Sequence, residues 1–351
     1  MIRLLLLPAF LLFSACGNDT EEWDIVTKGP RKIGIHITEG ATTDYDVSFA
    51  MAKSLGMQVV PVTLYWTTLE KADGFDTQLL EIANLYYPAN DVSVSLNLSP
   101  VAAIDKNMPA DIENLPFDEP VVIQRFKRVL DTVHYYLPDL QLNNLLIGNE
   151  IDLYLNSDAN SWGQFTTFYN AAVAHAKVLW GGELQVGVEC TWSTMIASTE
   201  KVQLLNQNSD YVAVTYYPLE SDFTMKSPNA ILTDMEQIFD LFPGRKIFLE
   251  ETGYASSEIC NSSPEMQATY IENVFRLWDK HVYDLIFVGF LWLHDLKTSD
   301  VTYFTGEYGM SGQANQEQFG EYLRTCGLVE NNGTPKPAFE TLKIEANLRG
   351  W

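Results

Sequence analysis

The chain has 351 residues, 46% of them hydrophobic and 12% aromatic, which is enough for one large core or two modest ones and too apolar for a disordered chain. Its 22 Lys and Arg against 46 Asp and Glu leave a net charge of −24, which repels nucleic acid, anionic membrane surfaces and polyanionic substrates. Nucleic acid is therefore not an expected partner, and the charge reads as solubility in a crowded or salty exterior.

The first residues, MIRLLLLPAFLLFSACGN, carry one Arg, then an apolar run of about ten, then small residues before Cys16. Residues 1–15 read as a secretory signal, too short to span a membrane. The stretch FSAC resembles the lipobox of bacterial lipoproteins, with Phe13 where an aliphatic residue is usual. That likeness implies lipidation of Cys16 and a protein held at the cell envelope or cell surface through this lipid alone. Residues 16–30, including GNDTEEWD, read as an acidic tether, and 31–351 as the folded unit. Cys190, Cys260 and Cys326 then remain in an oxidising compartment, where one disulfide plus a free thiol and three buried thiols are both open. No CxxC or His-rich spacing marks a metal site, and no cofactor is expected.

From Lys32 onward, strand-like apolar runs alternate with amphipathic helical stretches, the pattern of a parallel sheet with helices outside it. The runs are KIGIHIT (32–38), QVVPVTLYW (58–66), VSVSLNLS (92–99), NLLIGNE (144–150), LQVGVECTW (184–192), YVAVTYYP (211–218), KIFLEETGY (246–254) and LIFVGFLWLH (285–294). Between them DYDVSFAMAKSLG, VVIQRFKRVLDTVHYYL, FTTFYNAAVAHAKVLW, AILTDMEQIFDLF and EMQATYIENVFRLWDKH place apolar residues at three- and four-residue spacing. These units predict an α/β chain folded as a single (β/α)8 TIM barrel. A doubly wound open sheet is second choice, because TEGATTDYD rather than a glycine-rich phosphate loop follows the first strand. The proline-containing stretch from Pro100 to Pro120 reads as an extended loop on the active-site side.

In such a barrel the site sits where the strands end. The fourth run ends in Asn149 and Glu150, the seventh in Glu250, Glu251, Thr252, Gly253 and Tyr254. Two carboxylates brought to one crevice from opposite tips suit glycosidic bond cleavage, one protonating the leaving oxygen and the other attacking the anomeric carbon. Alternation along a strand sends Glu250 and Glu251 to different sides, so only one is expected to face the crevice. A separation of about 5 Å between the two carboxyls leads to retention, and about 6.5 to 9.5 Å to inversion.

GNE at a fourth strand and EETGY at a seventh resemble the retaining glycoside hydrolases of clan A. Further likeness lies in LYWTTLEKADGFD, similar to their W-x-x-L-E-x-x-x-G-x-[FY]-D turn, and in NGTPKPAFETLK, similar to their closing helix. IGNEI, TYYP and EETGY are nearest the endo-β-1,4-galactanase family and, less closely, a β-mannanase family. The resemblance implies a metal-independent retaining hydrolase with Glu150 as acid/base, Asn149 on the sugar 2-hydroxyl, and Glu251 as nucleophile. It also implies Tyr217, with Tyr216 competing, as a tyrosine bonded to the nucleophile, and Trp292 as a sugar platform. By strand position alone, Trp66 and Trp192 are further platforms, and His36 and His294 candidates for sugar hydroxyls. The clan's Arg near strand two and His after strand three are absent from PVTLYW and SLNLSP, which leaves Asn97 as a substitute. Asp152 and Glu189 read as structural or peripheral.

The expected substrate is a neutral β-linked polysaccharide or oligosaccharide, cut by an endo-acting, monomeric β-glycanase whose sugar and linkage are not specified. A non-catalytic barrel that captures glycans at the cell surface is the alternative. A metal-dependent barrel hydrolase lacks the His-x-His expected at a first strand, where GIHIT offers only His36.

Overall fold

The computed structural model describes residues 24–351. The signal segment, Cys16 and the first part of the tether lie outside the described residues. Eight strands form a parallel barrel: β1 Lys32–Ile35, β2 Val59–Tyr65, β3 Ser93–Ser99, β4 Leu142–Ile147, β5, β6 Val212–Tyr216, β7 Ile247–Thr252 and β8 Leu285–Phe290. β5 is broken at Val188 into Val186–Gly187, which pairs with β4, and Glu189–Thr191, which pairs with β6. These two halves close the sheet on itself, and every run expected from the sequence is a strand in the expected order.

The reason lies in burial. β3 is buried along its whole length, and in β4 Leu145 and Ile147 pack against the surrounding helices while Leu146 points into the barrel. Strands covered on both faces can be almost continuously apolar. The helices Tyr45–Lys53, Ala159–Trp180 and Pro264–Lys280 start where Asp44, Asp158 and Ser263 accept hydrogen bonds from free N–H groups of the first turn.

Inside the barrel Val59, Leu146, Tyr211, Ala213, Phe248 and Phe287 form an apolar cluster, with the Tyr211 and Phe248 rings stacked 4.1 Å apart. Beside it Glu250 accepts hydrogen bonds from Ser95 Oγ (3.0 Å) and Asn144 Nδ2 (2.8 Å). Glu250 faces inward because β7 is irregular here: its pairing with β6 steps from Val214–Leu249 directly to Thr215–Glu251. A bulge suspends strict alternation. The expectation that Glu250 and Glu251 take different sides is thus corrected, since Glu250 is buried inside the barrel below Glu251. Gly289 of β8 makes the bulge fit, because a Cβ there would lie 2.1 Å from the Glu250 carbonyl oxygen.

Away from the cleft, Asp279 is held between Arg31 (3.0 Å), which precedes β1, and Arg349 (2.6 Å), on the closing helix Pro337–Arg349. All three are nearly inaccessible, and the Arg31 guanidinium lies over the Trp278 and Trp351 rings. The cysteines Cys190, Cys260 and Cys326 are buried free thiols.

Candidate active site

A cleft of about 680 Å³ opens at the C-terminal end of the strands. Its size suits a small ligand or part of a longer one. Glu150 and Glu251 both line it, as do Asn149, Tyr217, Trp192, Trp292 and His36.

Glu150 stands where β4 stops. Gly148 takes φ 108°, and a Cβ on it would meet Ile151 at 2.3 Å, so the chain can leave the strand in a turn open only to glycine. Glu150 then adopts left-handed φ 41° and ψ 42° before the short helix Ile151–Leu155. Such a conformation in a residue with a side chain costs about 1–3 kcal/mol and collects at functional sites. The carboxyl is fixed on both oxygens, Oε1 by Thr215 Oγ1 (2.7 Å) and Oε2 by Tyr308 OH (3.1 Å). Burial, and next the negative charge of Glu251, push its pKa up to about 8. Glu150 is therefore protonated at neutral pH.

Glu251 accepts a hydrogen bond from Tyr217 OH at 2.7 Å. Tyr216 does not compete: its hydroxyl donates to Asp234 on the outside of the barrel. Burial lowers the His36 pKa, keeping the ring neutral with Nε2 3.4 Å from the Glu250 carbonyl oxygen.

Asn149 lines the cleft and donates from Nδ2 to Glu189. Glu189 is another buried carboxyl, at the break in β5, raised well above its ordinary range by burial and next by the charge of Glu251. It holds the Asn149 amide from below. Asp152 is structural, accepting from the Thr191 N–H (2.9 Å) and hydroxyl (2.7 Å) to tie the turn after β4 to the end of β5.

Three expectations fail on position. Trp66 is 1% exposed and is no platform: its ring packs on Phe126 and Phe168, and its Nε1 donates to Glu70, which pairs with Arg125. The chain turns outward immediately after β2, so this ring enters the layer between barrel and helices. His294 is fully buried, its Nδ1 on the Thr38 carbonyl (2.7 Å), where it fastens the end of β8 to the loop after β1. Asn97 lies on the inward face of β3 between Ser95 and Ser99, buried beneath the cleft, and its Oδ1 has no partner among the described residues.

The two tryptophans give a direct comparison. Trp66→Ala is expected to destabilise the fold by about 3–5 kcal/mol, the cost of an aromatic truncation in a packed core. Trp292→Ala, at a partly buried ring that lines the cleft and stacks on Phe304, is expected to destabilise the fold less than Trp66→Ala and to raise KM about tenfold through lost apolar contact. Thermal melts and kinetics on both variants check the contrast.

Sequence reading missed Thr215 and the segment 297–327 after β8, which contributes Tyr303, Phe304, Glu307, Tyr308, Phe319 and Tyr322 to the lining. Inward alternation along VAVTY could have found Thr215. The length of the connection between LWLH and NGTPKP, far beyond the few residues usual after a strand, was the signal for the second.

No protein-family model matches the chain, and no curated protein matches it. Solved structures with the same fold include an exo-β-1,4-mannosidase from Opitutaceae bacterium strain TAV5, with TM-score 0.67, 15% identity and coverage of 90% of this chain. The chain spans 59% of that protein's length. A family 53 glycoside hydrolase catalytic domain from Ignisphaera aggregans aligns with TM-score 0.63 and 14% identity over 91% of this chain and 96% of its own. Fungal β-1,4-galactanases align with TM-score 0.62 and 14% identity over 89% of this chain and 98% of theirs. At these identities the likeness establishes the (β/α)8 fold, shared with glycoside hydrolases.

Proposed function

We propose that the protein is a retaining β-glycoside hydrolase acting on a neutral carbohydrate, with Glu150 as acid/base and Glu251 as nucleophile. The observation that carries this reading is the unequal treatment of two carboxyls facing one cleft. Glu150 is buried, bonded by two hydroxyls and proton-loaded near neutrality, whereas Glu251 receives a single tyrosine hydroxyl. Such divergent environments separate an acid from its partner base or nucleophile.

In the first step Glu150 gives its proton to the glycosidic oxygen as a Glu251 oxygen attacks the anomeric carbon, so the bond to the leaving group breaks and a glycosyl ester forms. Glu251 has then lost its charge, which removes part of what raised the Glu150 pKa. Glu150, now ionised, takes a proton from water as the water oxygen attacks the same carbon and Glu251 departs as carboxylate. Tyr217 steadies the charge that disappears and returns on Glu251. Asn149, its Nδ2 engaged by Glu189, presents the rest of its amide to the sugar, and Trp292 and Trp192 offer apolar faces to the ring.

The pH dependence follows from the acid. With a pKa of about 8, Glu150 is protonated below that value, so kcat/KM is expected to fall as pH rises through about 8. Glu250 has the same raised value from burial but no place in the chemistry. Its folded pKa of about 8 exceeds the ordinary 4.5, so the folded state binds more protons than the unfolded one between these values. Stability is therefore lost as pH rises across that window, by on the order of a few kcal/mol. Glu250→Gln is expected to raise the melting temperature relative to wild type at pH 9 but not at pH 5, with activity kept. Equal effects at both pH values would contradict the burial argument.

The test is hydrolysis of a panel of aryl β-glycosides and β-linked oligosaccharides, with the first-formed anomer read by NMR and chelator present. Release of the β-anomer is expected. Release of the α-anomer, loss of activity with chelator, or tight glycan binding without product would overturn the reading. We further infer from residues 1–16 that lipid on Cys16 anchors the protein in the cell envelope as a monomer. Cys16→Ser is then expected to move it from the membrane fraction to the soluble one.

A further inference from the structure

β8 and β4 lie across the barrel from each other, with β1 to β3 on one side and β5 to β7 on the other. The segment 297–327, with helices Thr298–Glu307 and Gln316–Thr325, leaves from β8, yet it reaches the opposite tip, where Tyr308 donates to Glu150. It is also fastened along the way. Phe304 stacks on Trp292 with centroids 5.8 Å apart, and Tyr322 packs edge-on to Tyr217 at 5.7 Å. Phe319 meets Phe223 of the loop after β6 at 4.9 Å. On the other side the backbone of Gly309 abuts Ile104 of the hairpin after β3, since a Cβ there would lie 3.2 Å from its terminal methyl. The buried side chains of Phe319, Tyr322 and Leu323 make this a packed strap rather than a loose loop.

We propose that this strap roofs the cleft, so that a carbohydrate reaches Glu150 and Glu251 only by one of its ends: the site takes short glycosides and chain termini, not the middle of a polysaccharide. This rests on the glycosidase reading and narrows its substrate class. A chain cut internally must be laid into an open groove from above, and the strap occupies that approach between β8 and the tips of β3, β4 and β6. The endo-acting glycanase expected from the sequence would need that approach open.

The experiment uses the purified chain on β-linked hexasaccharides of glucose, galactose and mannose labelled at the reducing end, and on the matching polymers. Product lengths and polymer viscosity are followed together. The expected result is shortening of the hexasaccharides by a fixed step, with reducing sugar released from polymer while viscosity hardly falls. Early mid-length products and a rapid fall in viscosity would overturn the strap's role. Phe319→Ala removes the contact with Phe223 and loosens the packing on Tyr308 and Tyr322, so it is read as a ratio rather than a rate: the ratio of polymer to hexasaccharide cleavage is expected to rise, and an unchanged ratio in a folded variant counts against the roof. Glu251→Gln assayed in parallel separates the two failures. Cleavage surviving in that variant, or wild-type inertness on the whole panel, overturns the glycosidase reading itself, whereas internal cleavage lost in Glu251→Gln overturns only the restriction to chain ends.

Discussion

Replacing Glu251 by Gln is expected to lower kcat by about 10⁵-fold, the scale on which removal of an attacking nucleophile acts when the rest of the site is intact. The variant should fold normally, because Gln still accepts from Tyr217 OH and the bulge that aims the side chain belongs to the backbone. Glu150→Ala should behave differently according to the leaving group. On a glycoside with an alkyl leaving group the loss is expected near 10³-fold, as for a missing general acid. On a glycoside whose leaving group is an acidic phenol the first step needs little proton donation, and the loss should fall mainly on the second step. A small anion such as azide, which needs no base to attack the ester, is then expected to restore turnover in Glu150→Ala and not in Glu251→Gln. Steady-state kinetics with two leaving groups, with and without azide, check this pattern.

A stability effect as large as that at Trp66 is expected at Asp279. Removing its carboxylate leaves Arg31 and Arg349 buried, close together and without their shared partner. Breaking a buried ion pair by deleting one member costs about 3–5 kcal/mol, because the remaining charge keeps its desolvation penalty and loses its compensation. Asp279→Ala is thus expected to lower the melting temperature by on the order of 10 °C, with kcat unchanged at low temperature. The half-exposed pair Arg276–Glu272 is the control, since deleting it should cost less than about 1 kcal/mol. The cluster joins the residues before β1 to the closing helix, so it pins both ends of the folded unit.

The barrel was legible because fully buried parallel strands leave continuous apolar runs, and the two glutamates that face the cleft were legible because polarity interrupts two of those runs at their ends. What sequence could not show was direction. Trp66 and Trp292 both follow strands, yet one turns into the helix layer and the other over the cleft, a choice made by the backbone after each strand. Glu250 was expected on the opposite face from Glu251, and the bulge that turns it inward depends on Gly289 in a neighbouring strand. His294 looked like a hydroxyl ligand and proved to be a fastener on Thr38. The helices of the strap, Thr298–Glu307 and Gln316–Thr325, are not among the stretches the sequence singles out, and nothing local reveals that Tyr308 ends beside Glu150.

The central claim is that Glu251 carries the sugar between two chemical steps. Its most direct measurement treats the wild-type chain with a 2-deoxy-2-fluoro β-glycoside of the sugar it releases, bearing a good leaving group, so that ester formation outpaces hydrolysis. Peptide mass spectrometry then locates the adduct. The expected result is one glycosyl mass on Glu251, absent from Glu251→Gln. An adduct on Glu250, or leaving-group release with no adduct and an inverted product, would contradict it.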